Sequence, residues 1–162
     1  MIKLENIYKR FGEGNTQVEA LAGLSLDVNR GEFLAVMGAS GSGKSTLLNI
    51  IGAMDKASEG NYLFEDTNVS LLGMKELHKF RKDHISFVFQ HFSLLGRYTV
   101  YENTEIPLIA RGIPAGKRKE MIMHALEMVG IDHLKDKKPM NISGGEQQRC
   151  AIAREIVVEN EI

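Results

Sequence analysis

The sequence has one cysteine and three prolines in 162 residues, and neither sign of charge prevails, with 20 Lys and Arg against 21 Asp and Glu for a net charge of -1. Each shortage excludes something. One thiol cannot close an internal disulfide, and no basic segment runs into an apolar one with a cleavage site, so the expected compartment is a reducing cytoplasm. Long apolar runs are also missing. The longest are strand-length, such as residues 33–37, far short of the roughly 18 apolar residues of a membrane span. Any membrane role is therefore expected through a partner. The balanced charge offers no basic face for counterion release, so nucleic acid is not an expected partner. The histidines, His78, His84, His91, His124 and His133, form no pair with a carboxylate at zinc-binding spacing, and Cys150 reads as packing. There is no repeat, low-complexity tract or sustained heptad. What remains is the composition of one ordinary globular domain.

The pattern along the chain is mixed. Residues 2–7 and 24–28 alternate apolar and polar and predict half-buried strands, with turn chemistry at 12–15 between them. Residues 33–37 are apolar throughout, as in a strand covered on both faces in a parallel sheet. A helix is expected from Lys44 to Ile51, short strands at 61–64 and 84–89, and helix from Thr99 onward. Met121, Ile122, Ala125, Leu126 and Val129 fall on one helical stripe that Gly130 ends. A break at 139–141 precedes a last helix from Ser143 through Arg149, Ala153 and Ile156.

Between the all-apolar segment and the first helix stand Gly38, Ala39, Ser40, Gly41, Ser42, Gly43, Lys44, Ser45 and Thr46. They fit G-x-x-x-x-G-K-[ST] in the strand-to-helix setting that the mechanism requires. Glycines let backbone N–H groups turn inward on a polyphosphate, the helix N-terminus adds partial positive charge, and Lys44 supplies a point charge. Ser45 is placed to hold Mg2+ through its hydroxyl. A plain glycine turn would need neither the lysine nor the hydroxyls. G-x-G-x-x-G cannot be laid on Gly38, Gly41 and Gly43, which sets dinucleotide chemistry aside.

The second informative string runs from Ile142 to Arg149, I-S-G-G-E-Q-Q-R. Ser143 and Glu146 form S-x-x-E, a capping box at a helix start. A capped start flanked by Gly144 and Gly145 is also an anion site, so the structural and functional readings describe one geometry.

With these strings in place, the sequence resembles the ATP-binding cassette ATPases of ABC transporters, most closely the branch serving lipoprotein release and macrolide export. The resemblance covers nearly all of the chain. Residues 38–46 look like the Walker A loop, residues 142–149 like the signature motif, and F-V-F-Q ending at Gln90 like the Q-loop. It implies an α/β fold, a P-loop NTPase core of RecA type with an N-terminal antiparallel β region and a helical subdomain. Three parts are expected: nucleotide core and β region over 1–90, a mostly helical subdomain over 91–145, and the signature helix returning to the core over 146–162.

By the same resemblance, ATP with Mg2+ binds between the Walker A loop of one protomer and Ser143, Gly144, Gly145 and Glu146 of a second, in a head-to-tail dimer. Lys44 and Gln90 are then the catalytic candidates, with Ser45 and Gln90 toward the metal. Phe11 stands where the family sets a ring against adenine, Tyr8 being close enough to compete; stacking on a purine needs a flat apolar face. Phe92, Leu94 and Leu95 form an apolar cluster that either receives a helix of a membrane-spanning permease subunit or tucks into the helical region.

Two small departures, Ile142 for the usual leucine and Glu146 for the usual glutamine, keep apolar size and capping ability. A larger one is that the sequence stops at Ile162, where the family continues into an apolar strand ending in Asp-Glu, the Walker B element. The expectation is of a truncated cassette with an incomplete central sheet, at best partly folded and hydrolysis-deficient alone. A non-catalytic nucleotide-binding or regulatory remnant is the alternative.

Overall fold

The computed structural model describes residues 1–162, the side chain of Asn15 excepted. It contains two compact units, Met1–Arg81 and Lys82–Ile162.

In the first unit, β1 (Ile2–Phe11), β2 (Val18–Val28), β3 (Glu59–Phe64) and β4 (Thr67–Asn68) form one sheet in the order β2-β1-β3-β4. Every pairing is antiparallel. Strict alternation from Ile2 and Leu4 would turn Ile7 to the opposite face. The ladders shift register between Leu4 and Ile7, where Asn6 adopts φ 49 and its N–H donates to Ser25 Oγ at 3.0 Å. This bulge returns Ile7 to the core beside Ile2 and Leu4, all three buried. Helix α1 (Lys44–Ile51) buries Leu47 and Ile50. Helix α2 (Met74–His84), whose last three residues begin the second unit, buries Leu77 and Phe80. Phe80 meets Phe64 and Tyr62 edge-on, at centroid distances of 5.3 and 6.3 Å. The Tyr62 hydroxyl donates to the Ile51 carbonyl at 2.9 Å, and burial pushes its pKa up.

The second unit is helical, with α3 (Val100–Ala110), α4 (Ala115–Met128) and α5 (Gly144–Ile156). Val100, Leu108, Ile122, Ala125, Leu126, Cys150 and Ala153 make its core, so the expected stripe on α4 faces inward. Cys150 is buried packing as expected, and burial pushes its thiol up to about 11. Both α3 and α5 start in capping boxes, Thr99 with Glu102 and Ser143 with Glu146.

Two expected strands are not formed. Residues 33–37 carry no ladder, and Phe33 and Met37 are 93% and 88% exposed, where burial on both faces was expected. A strand is defined by its partner's hydrogen bonds, and among the described residues none runs beside this segment. His84 closes α2 rather than opening a strand. Residues 85–89 have no ladder beyond a single parallel rung, with Ser86 N donating to the Ile162 carbonyl at 2.7 Å and Ile162 N to that of His84 at 3.1 Å. The parallel sheet expected from the apolar segments is thus absent among the described residues, and the only sheet is antiparallel.

Asn103 ties the loop ahead of α3 to the helix. It is fully buried; its Nδ2 donates to the carbonyls of Leu95, Tyr98 and Thr99 at 3.2, 3.2 and 2.9 Å, and its Oδ1 accepts from Leu95 N at 2.8 Å. Removing the side chain leaves the partly buried Leu95 N–H without its acceptor, at a cost of about 1 kcal/mol. Asn103→Ala is expected to lower the denaturant midpoint of the second unit accordingly, with m unchanged.

Candidate functional site

The phosphate loop is shaped by three glycines. Gly41 and Gly43 take φ 80 and 85, and Gly38 takes φ 157, the first two being conformations that L side chains resist. Gly43 is also pinned by space: a Cβ there would lie 2.5 Å from the Ala20 carbonyl of β2 and 3.0 Å from Leu21 Cδ2. The loop therefore rests directly on β2 before turning into α1. Ser42 N donates to the Ala39 carbonyl at 3.3 Å and Leu47 N to that of Gly43 at 2.8 Å.

Helix α1 begins with no side-chain cap and no acidic residue in its first turn. Its first amides thus keep their donors and their partial positive charge. Lys44 folds back over the loop, its Nζ donating to the carbonyls of Gly38 and Ala39 at 2.9 and 2.7 Å and lying 3.4 Å from Ser42 Oγ. The ammonium thereby sits at the mouth of the loop, bound to groups an incoming anion can replace. Ser45 is exposed beside it. Uncapped amides, an ammonium and hydroxyls, with no carboxylate in that turn, form a donor set that fits a polyphosphate with a divalent cation.

Ser143 realises the capping reading in full. Its N–H and hydroxyl donate to Glu146 Oε2 at 2.7 and 2.8 Å, and Glu146 N donates back to its Oγ at 3.4 Å. Gly144 and Gly145 are exposed, with no backbone close enough to obstruct an approaching group. The backbone N–H of Ser143, then its hydroxyl, hold the Glu146 carboxyl below the usual carboxylate range; Thr99 does the same for Glu102. Since these folded values lie below the ordinary 4.5, the caps stabilise fully above that pH and lose their contribution as pH falls through the lower value. Acid titration followed by amide NMR is expected to show the first turns of α3 and α5 loosening before the core.

Phe11 ends β1 with an exposed ring, and the Lys9 ammonium stands 5.0 Å from its centroid. Tyr8 is half-buried and already engaged, with Arg10 over its ring at 5.2 Å. Both rings thus have a cation beside them, and Phe11 is the more exposed of the two. Gln90 is exposed after the paired rings of Phe87 and Phe89. The apolar cluster beyond it divides. Leu94 packs on the helical core, Phe92 is half-buried, and Leu95 is exposed.

Sequence reasoning missed α2, β4 and the roles of Asn103 and Arg154. The first had a weak signal in the Leu77 and Phe80 spacing; Asn103 bonds residues four to eight positions earlier, but no standard cap pattern marks it, and Arg154 acts on residues 61 and 62 positions earlier and left no signal.

The chain is similar to known proteins in sequence and in fold. The family model described as ABC transporter matches residues 21–162. The macrolide export ATP-binding/permease protein MacB of Brucella abortus is 43% identical over 157 residues, 97% of this chain but 24% of that protein. An uncharacterized ABC transporter ATP-binding protein of Thermotoga maritima is 44% identical over 154 residues, 95% of this chain and 66% of its own length. Among solved structures, the dimeric ATP-binding cassette MJ0796, bound to ADP and Pi in a post-hydrolysis state, matches with a TM-score of 0.91 and 40% identity. That match covers 99% of this chain and 71% of the other. The chain thus spans only part of the length of these relatives.

Proposed function

This chain belongs to the ABC transporter family, and we propose that it is the ATP-binding part of a transporter of macrolide-export type, coupling nucleotide binding and hydrolysis to movement in a membrane-spanning permease. One observation carries this reading. The uncapped first turn of α1, with Lys44 bound only to loop carbonyls and Ser42 Oγ, is built to receive a triphosphate. Ser45 supplies a hydroxyl for Mg2+, whose charge would offset that of the phosphates. Phe11 offers its ring to the base. Gln90 keeps the role that the family resemblance gives it, toward metal and attacking water.

Among the described residues no helix is long and apolar enough to cross a membrane. The cluster of Phe92, Leu94 and Leu95 is proposed to receive a helix of the permease, with Leu95 exposed, Phe92 half-buried and Leu94 packed on the core behind them. Ser143, Gly144 and Gly145, open at the start of α5, are proposed to close on the nucleotide of a second protomer. That reading fits the dimeric state named for the MJ0796 cassette.

Two measurements on the purified chain test the reading. Calorimetric titration with ATP and Mg2+ is expected to give one saturable site per chain. Steady-state phosphate release then separates a catalytic cassette from one that only binds: turnover above the Lys44→Ala background supports the first, and saturable binding without turnover the second. Absence of binding by the folded chain rejects both.

A further inference from the structure

Helix α5 carries Arg154, a cation only 8% exposed. Its guanidinium has three acceptors. Nε donates to Glu155 Oε1 at 3.0 Å, Nη1 to the Ser93 carbonyl at 2.8 Å, and Nη2 to the Phe92 carbonyl at 3.1 Å. Phe92 and Ser93 are successive non-glycine residues in the left-handed region, at φ 59 and 49. Backbone bonds tighten the same turn, from Phe92 N to the Phe89 carbonyl at 3.0 Å and from Ser93 N to that of His91 at 2.6 Å. The turn brackets Gln90.

Side chains of L configuration resist this backbone, and two in succession persist only where the surroundings hold them. Here the surroundings are the planar fork of one arginine, whose geometry suits two adjacent acceptors as an ammonium's does not. The dependence is mutual, because a guanidinium this buried requires its acceptors. Glu155 balances its charge, which leaves the two carbonyl contacts to fix direction. Arg154 therefore joins the helix that begins at Ser143 to the turn that follows Gln90, both within the second unit.

We propose that Arg154 is a positioning residue for Gln90, acting by holding the turn at Phe92 and Ser93 in its left-handed form. A displacement of α5 is thereby passed to Gln90. The proposal rests on the reading of Gln90 as serving the metal of a bound nucleotide, and it adds to that reading a residue on α5 that sets Gln90 in place.

Amide hydrogen exchange on the whole chain, compared among the parent, Arg154→Met, Arg154→Lys and the pair Arg154→Met with Ser93→Gly, tests the latch. Arg154→Met is expected to speed exchange over residues 91–95 by about tenfold or more while the first turns of α5 keep parental protection. Lysine restores it in part, since it reaches fewer acceptors at once. Ser93→Gly, for which the left-handed backbone carries no penalty, restores protection in the methionine background; a role in packing alone would not be rescued this way. Should Arg154→Met loosen the whole of α5, the lysine variant with and without Ser93→Gly decides on the same criterion.

The second arm is the gain in ATP affinity on adding Mg2+. Arg154→Met is expected to reduce it to the level of Gln90→Ala, with metal-free affinity unchanged. Parental exchange over 91–95 in Arg154→Met, or a loosened turn with the full Mg2+ gain retained, overturns the proposal. If the parent binds no nucleotide, the reading of Gln90 fails, and the exchange comparison still decides whether Arg154 holds the turn.

Discussion

Lys44→Ala is expected to cost the chain its nucleotide while leaving its fold in place. In the structure the ammonium bonds only to groups of its own loop, the carbonyls of Gly38 and Ala39 with Ser42 Oγ nearby, so its loss removes no core contact. Stability is expected to change by less than about 0.5 kcal/mol, as for other surface substitutions. Binding is another matter. A charge-assisted hydrogen bond contributes about 1.5–3 kcal/mol, and an ammonium between phosphate oxygens makes more than one. A loss of about 3–4 kcal/mol corresponds to roughly 100- to 1000-fold in affinity. Equilibrium titration with MgATP, beside a thermal melt of the same sample, reads both numbers. A melt lowered together with the affinity would show that Lys44 supports the fold instead.

Gly60→Ala is expected to have the largest effect on stability, and it acts on the sheet rather than on the site. Gly60 lies in β3 at φ 97, opposite the bulge of β1. A Cβ there would stand 2.3 Å from the Asn6 carbonyl oxygen and 2.6 Å from that of Glu5. No rotamer change relieves a collision with two backbone oxygens. The left-handed conformation costs an alanine about 1–2 kcal/mol, and forced displacement of a packed backbone adds about 1–3 kcal/mol. The sum of roughly 2–5 kcal/mol, at about 2–4 °C per kcal/mol for a chain of this size, lowers the melting midpoint by about 10 °C. The bulge sets Ile7 in the core, so a smaller shift would mean that β1 and β3 separate there without disturbing it.

What could be read in the sequence is what is decided within a few residues. The cap of α5 follows from Ser143 and Glu146 three positions apart, and the loop at 38–46 from glycines that only one kind of turn requires. The inward face of α4 was legible because Ile122, Ala125 and Leu126 repeat at helical spacing. Residues 33–37 show the limit of this reasoning. Their apolar composition was read correctly, but a strand needs a partner, and composition does not say whether one is beside it. Phe33 and Met37 are instead exposed. The bulge at Asn6 escaped notice for a related reason: the odd spacing from Leu4 to Ile7 is resolved by Ser25 and Gly60, which lie on other strands.

Arg154 was the least legible residue. Read along the chain it is one more basic side chain near a helix end. Its acceptors Ser93 and Phe92 lie 61 and 62 residues earlier, and no local pattern connects them. Leu94 is a milder case, since its neighbour Leu95 has the same character and only the folded helices decide which of the two packs inward.

The account stands on backbone amides at the loop and first turn of α1 gripping phosphate, and amide NMR observes that grip directly. Addition of MgATP is expected to shift the amide resonances of Gly41, Gly43, Lys44, Ser45 and Thr46 most strongly, with pyrophosphate reproducing those shifts and adenosine leaving them in place. Shifts that adenosine produces as well as ATP, or none at those amides at millimolar nucleotide in a folded sample, would contradict it.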